Sequence, residues 1–293
     1  MFLSTWVIID RSFSENNIIY YFKYVLFFSI YYIYRQRNNR TIKIMGIGDS
    51  ITSSKVGEGS YRKFLYHNLI SKGYNIKMVG SIEQKIKKYY DEETKEEFKY
   101  PDDNSGFSSY TICTYEGRKG LLEILKKDNI LKLNPDIIIL LIGTNNIMDN
   151  YDFDKTMKDF ISLIDYIFDN ISPNSTLFVA TIPDMDPNKK FYKIFKNYRQ
   201  SKDGKIKYND NKVKKLVLKN IKKFNKGIKK IINEYKDKNY NIRLENLNYA
   251  LKDIDNLFDD GVHPNNKGYK KMGDFWSNII EKFLNETNLN KLI

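Results

Sequence analysis

Residues 136–142, DIIILLI, decide the reading of the chain. The run is short, unbroken, apolar and rich in β-branched side chains. A strand with one wet face alternates in polarity, whereas a strand covered on both faces does not. Working outward, residues 42–47 (IKIMGI) and 176–182 (TLFVATI) have the same character, and 74–80 and 241–246 read as two further strands. Between them lie segments with helical spacing at 60–71, 110–127, 153–170 and 209–236. A last helix follows Pro264, with Tyr269, Met272, Phe275, Trp276, Ile279, Ile280 and Phe283 in register. Residues 85–105 are charge-dense and read as loop; 184–208, lysine-rich with no clean period, read as a surface insertion. Strands alternating with helices predict βαβ units, a parallel sheet and right-handed crossovers that put helices on both faces. The expectation is an α/β fold: a three-layer α/β/α domain with a parallel sheet of about five strands.

Composition narrows the class without naming a function. With 41% hydrophobic and 29% charged residues, the chain has material for a sizeable core. Lys+Arg 49 against Asp+Glu 36 gives +13. The excess travels with abundant Asn, Ile and Tyr, as an AT-rich coding bias would produce. No RRM or zinc-finger signature accompanies it, so no nucleic-acid partner is expected. Cys113 is the single cysteine: it forms no intramolecular disulfide, and there is no cysteine cluster for a metal. No metal and no cofactor are expected.

Residues 1–40 are set apart as an N-terminal tail, with the domain at 41–293. Within the tail, 18–34 form an apolar run interrupted by Lys23 and followed by Arg35, Arg37 and Arg40. Its length is near the lower limit of ~17–25 residues for a membrane span. A signal-anchor, a degenerate export signal and a misassigned start all stay open. Export or membrane attachment is favoured over the cytoplasm, and any membrane contact is confined to 18–34.

Four short features stand out, each after an expected strand: Gly48-Asp49-Ser50-Ile51-Thr52, Ser105-Gly106-Phe107, Gly143-Thr144-Asn145-Asn146 and Asp260-Gly261-Val262-His263-Pro264. Open parallel sheets bind ligands outside the carboxyl ends of their strands, at the switch in strand order. For a 2-1-3-4-5 order that switch lies between the first and third strands, so Ser50 and Asn145 face one crevice. Taken singly each feature has an ordinary explanation. Serine and asparagine are common turn residues, and His263 precedes a proline that opens a helix. Asp255 and Asp259 compete with Asp260, although the three-residue spacing to His263 favours Asp260. Of the two histidines, His67 reads as a solvated residue beside Lys63. Asp49 reads as structural, bonding backbone N–H groups of the Ser50 turn; Cys113 reads as core, and Arg118 as solvated.

Together and in order, GDSIT, the Ser-Gly-aromatic stretch, PDIIILLIGTNN and DGVHPNNKGYKKM resemble the sequence blocks of the SGNH (GDSL-type) hydrolases over about residues 43–285. Within that superfamily they are most similar to carbohydrate esterase family 3, the acetyl xylan esterases. The resemblance implies a flavodoxin-like sheet. It implies Ser50 as nucleophile, Asp260 and His263 as acid and base, and an oxyanion hole from Ser50 N–H, Gly106 and Asn145. One departure is visible: the third block often reads G-x-N-D, and Asn146 stands in place of the aspartate. Support geometry is expected to change there, and activity to survive. The implied chemistry is cofactor-free hydrolysis of a small acyl ester, or of an acetylated polysaccharide such as xylan. Alternatives are a lysophospholipase or thioesterase acting on lipid esters, and a carbohydrate-binding relative without turnover. The sequence says nothing about oligomeric state.

Overall fold

The computed structural model describes residues 24–27, 40–54, 59–82, 86–91, 93–186, 195–199, 209–252 and 260–287. The chain divides into two compact units. One is Thr41–Glu281; the other joins Met1–Arg40 to Lys282–Ile293. In the second unit, residues 24–27 form an exposed helical turn, and the remainder of the 18–34 run lies outside the described residues. No described helix is long and apolar enough to cross a membrane.

In the first unit, β1 (Ile42–Gly48), β2 (Ile76–Val79), β6 (Ile137–Leu141), β7 (Thr176–Ala180) and β8 (Ile242–Glu245) form a parallel sheet of order β2-β1-β6-β7-β8. Each long strand is one of the five expected, and the order is the expected one. β6 is buried at every position, which is why its sequence does not alternate. Burying each such Ile or Leu is worth about 1.5–3 kcal/mol, so this central ladder is the main apolar anchor. Helices α2 (Ser60–Ser71), α5 (Phe153–Asn170), α7 (Asp210–Asp237) and, up to Glu281, α8 (Asn266–Glu286) flank the sheet. In α7, Val213, Val217, Ile221, Phe224, Ile228, Ile232 and Tyr235 are buried at helical intervals, while the lysines take the other side.

A sixth, two-residue strand matters more for the site than its size suggests. β5 (Ser105–Gly106) pairs with the end of β1, Ile47 opposite Ser105 and Gly48 opposite Gly106. β2 occupies that edge of β1 only at Ile42–Met45. On the other edge, the same Ile47 and Gly48 pair with Leu140 and Leu141 of β6. The carboxyl end of β1 is therefore held between the chain entering the second feature and the chain entering the third.

Three sequence expectations are corrected. Residues 85–105 contain an antiparallel hairpin, β3 (Lys87–Asp91) with β4 (Glu96–Tyr100). Its charged residues conceal an aromatic face: Tyr89 and Phe98 pack edge-on against Phe64, and Phe98 stacks on His67 at 4.0 Å between ring centroids. His67 is thus a half-buried packing residue, and its neighbour Lys63 is buried over the Tyr89 ring. The helix expected over 110–127 starts only at α3 (Leu121–Lys127). Glu116 and Gly117 take φ of 45° and 83°, and Tyr115 and Arg118 exchange backbone hydrogen bonds across them. That is a tight two-residue turn, which a helix cannot contain. Most of the 184–208 insertion lies outside the described residues. Within it, α6 (Lys196–Arg199) is helical and Phe195 and Tyr198 are buried.

Candidate active site

Ser50 opens α1 (Ser50–Ser53), directly after β1. Asp49 is its N-cap, accepting the Ile51 N–H at Oδ1 (3.0 Å). This is the local role its sequence position suggested. The Asp49 carboxyl is fully buried, and burial pushes its pKa from 3.8 up to about 6; the Ile51 N–H and the nearby Thr144 offset part of that. Beneath the same turn, the buried Arg62 guanidinium bonds Thr52 O, Ser60 Oγ and the Asp102 carboxylate, which also takes Lys87 Nζ at 2.6 Å. A short serine-bearing turn is thereby clamped on its polar underside.

Asp260 and His263 meet Ser50 from the far end of the sequence. Asp260 Oδ1 accepts the backbone N–H groups of Val262 and His263, both at 2.9 Å. Its Oδ2 lies 2.8 Å from His263 Nδ1, and His263 Nε2 lies 2.7 Å from Ser50 Oγ. Asp260 is buried and His263 mostly so. The turn is pinned by Asp186 N–H donating to Gly261 O (2.7 Å). A carboxylate at Nδ1 keeps the proton there and leaves Nε2 as acceptor for the serine hydroxyl. The competing Asp255 and Asp259 lie outside the described residues.

The three expected donors border the same carboxyl end of β1. Ser50 N–H is at the first position of a helix, where no intrahelical acceptor exists. Asn145, in α4 (Thr144–Met148), uses one Nδ2 proton on Tyr110 O (2.7 Å), which leaves the other for a ligand. Gly106 N–H donates to Asn104 Oδ1 at 3.0 Å, so this donor is engaged within the protein. Gly106 has a packing reason as well: a Cβ there would sit 2.3 Å from Ser53 N, inside the backbone of α1. Asn146, the departure in the third block, is buried and accepts Ile112 N–H at Oδ1 (3.2 Å). It thus supports the loop that carries Tyr110.

Arg118 is not the solvated residue its sequence context suggested. Its guanidinium forms a two-point pair with Asp149, through Nε and Nη2, and its Nη1 reaches Ser109 O (3.3 Å) and Asn145 Oδ1 (3.4 Å). The Asp149 pairing holds its pKa above the ordinary value. No sequence signal marks Arg118 as ordered, because the Glu-Gly pair before it also fits a helix. Cys113 is buried, and burial raises its thiol to about 12, which makes it inert.

The chain is similar to known proteins over most of its length. The profile of the GDSL-like lipase/acylhydrolase family matches residues 44–276. A multidomain esterase of Ruminococcus flavefaciens is 35% identical over 252 residues, 83% of this chain; the chain spans only 29% of that protein's length. Among solved structures, a family 3 carbohydrate esterase of Clostridium thermocellum is similar, with a TM-score of 0.58 and 26% identity. That match covers 85% of this chain and 99% of the other. A carbohydrate esterase family 3 protein from Talaromyces cellulolyticus shares the fold at the same TM-score and 17% identity, covering 84% of this chain and 99% of that one.

Proposed function

The chain belongs to the GDSL-like lipase/acylhydrolase family, and from that premise we propose that it is an ester hydrolase with Ser50 as its nucleophile and short acyl groups, chiefly acetyl groups on carbohydrate such as xylan, as its substrate. The observation that carries the reading is the continuous path from Ser50 Oγ through His263 to Asp260, with steps of 2.7 and 2.8 Å.

A serine hydroxyl attacks an ester only when a base takes its proton as the bond forms. Here His263 Nε2 receives that proton while Ser50 Oγ bonds to the acyl carbon. Asp260 steadies the imidazolium and keeps its orientation. The carbonyl oxygen becomes an oxyanion facing Ser50 N–H and the second Nδ2 proton of Asn145. Gly106 is assigned as the third donor, by sharing its N–H between Asn104 and the oxyanion. Collapse of the tetrahedral species breaks the ester C–O bond, and the departing alcohol takes the proton from Nε2. Water then attacks acyl-Ser50, giving its proton to Nε2. The free acid leaves, and the serine regains its hydrogen. In this reading the hydrolase is residues 41–293, with 1–40 a separate tail.

The preference for a carbohydrate ester draws its support from the 26% identical family 3 carbohydrate esterase; the acetyl group is what the sequence resemblance implies. The test is hydrolysis of a set of esters by the purified chain and its Ser50→Ala variant. The set comprises an aryl acetate, acetylated xylan, longer aryl acyl esters and a lysophospholipid. Acetyl turnover that vanishes in Ser50→Ala is expected. Equal rates in both proteins remove Ser50 from the mechanism, and preference for long acyl chains overturns the acetyl assignment.

A further inference from the structure

An asparagine amide serves an oxyanion only with its nitrogen end forward. Rotated by half a turn, it presents an oxygen to the developing negative charge. Nothing in the Asn145 side chain itself selects one end. Its surroundings do. Tyr110 O, a pure acceptor, lies 2.7 Å from Nδ2, and Arg118 Nη1, a pure donor, lies 3.4 Å from Oδ1. Exchange of the two ends would set N–H against a cation and oxygen against oxygen.

Arg118 is itself fixed. Four of its five N–H groups go to Asp149, Ser109 O and Asn145 Oδ1, which leaves little for a substrate. Asp149 also ties the two together, because its backbone N–H donates to Asn145 O (3.0 Å) while its carboxylate holds the guanidinium. The Tyr115–Arg118 turn is anchored in turn by the Tyr151 hydroxyl donating to Tyr115 O (3.1 Å).

We propose that Arg118, held by Asp149, is a positioning residue that locks the amide of Asn145 with one N–H aimed at the acyl oxygen; this rests on the serine-esterase reading above. A cation on the carbonyl end of an amide also polarises it, which strengthens the remaining N–H as a donor. The benefit is realised at the transition state, where the oxyanion exists, and little at substrate binding.

The experiment is a double-mutant cycle of Arg118→Ala and Asn145→Ala on an aryl acetate, with kcat and KM read separately. Loss of a full oxyanion donor costs about 10²–10³-fold in kcat. We expect Arg118→Ala to lose about tenfold in kcat with KM within about twofold, and the double variant to be no worse than Asn145→Ala alone. Arg118→Lys, which keeps the charge but not the fork, recovers only part of the loss; it runs through the same cycle if Arg118→Ala does not fold. An unchanged kcat, a loss carried by KM, or losses that multiply fully in the double variant overturns the proposal. A serine-reactive phosphonate separates the two claims. If the wild-type chain neither turns over acetate nor is labelled at Ser50, the underlying reading fails. If it does both and the cycle shows no coupling, only the role of Arg118 fails.

Discussion

Replacing Asp49 by Asn gives a stability change whose size follows from the buried site. In the folded chain this carboxyl ionises at about 6, against 3.8 for an ordinary aspartate, because burial penalises the charged form more than the Ile51 N–H favours it. Below pH 3.8 both folded and unfolded chains carry the proton. Between 3.8 and 6 the unfolded chain releases it first, so folding must retain a proton the solvent would take, and stability falls as pH rises. Above 6 both states are ionised and the penalty is constant. At ~1.4 kcal/mol per pH unit, the interval amounts to about 3 kcal/mol. Asn keeps an Oδ1 for the Ile51 cap and carries no charge. Urea denaturation of both proteins from pH 3.5 to 8 isolates the effect as a difference, since other carboxylates cancel. The stability of Asp49→Asn minus that of wild type should rise by about 3 kcal/mol across the range, with the change complete near pH 6–7. A flat difference refutes the reasoning, as does one that falls with pH.

Asp260→Asn leaves the loop bonds at Oδ1 available but favours the wrong imidazole tautomer, so kcat on an aryl acetate should drop about 10⁴-fold. Gly106→Ala drives a methyl into the Ser53 and Thr52 backbone and must displace α1; kcat should fall and urea midpoints with it, and wild-type behaviour in both would refute the packing argument. Asp102→Ala leaves the buried Arg62 without its carboxylate, a loss of about 3–5 kcal/mol by denaturant titration.

Most of the sheet was legible because its strands are buried on both faces. Such strands read as unbroken apolar runs, and residues 136–142 are the extreme case. The hairpin over 87–100 was not legible. Its lysines and glutamates dominate the composition, and its aromatic face has meaning only once Phe64 and His67 lie across from it. The turn at 115–118 was missed for a related reason: a Glu-Gly pair is compatible with a helix until its hydrogen bonds are known.

The site divides in the same way. Sequence alone determined which residue types were available, since the candidate catalytic residues sit in short blocks after strands. Tertiary structure decided which groups face which. Asp260 and His263 are three residues apart, but Ser50 is more than two hundred positions away, and only the parallel pairing of β1 with β5 and β6 gathers its neighbourhood. The engagement of Gly106 by Asn104, and of Asn145 by Arg118 and Tyr110, depends on backbone oxygens and side-chain rotamers. A hydrogen bond is directional over about 3 Å, and one-dimensional spacing carries no information at that scale.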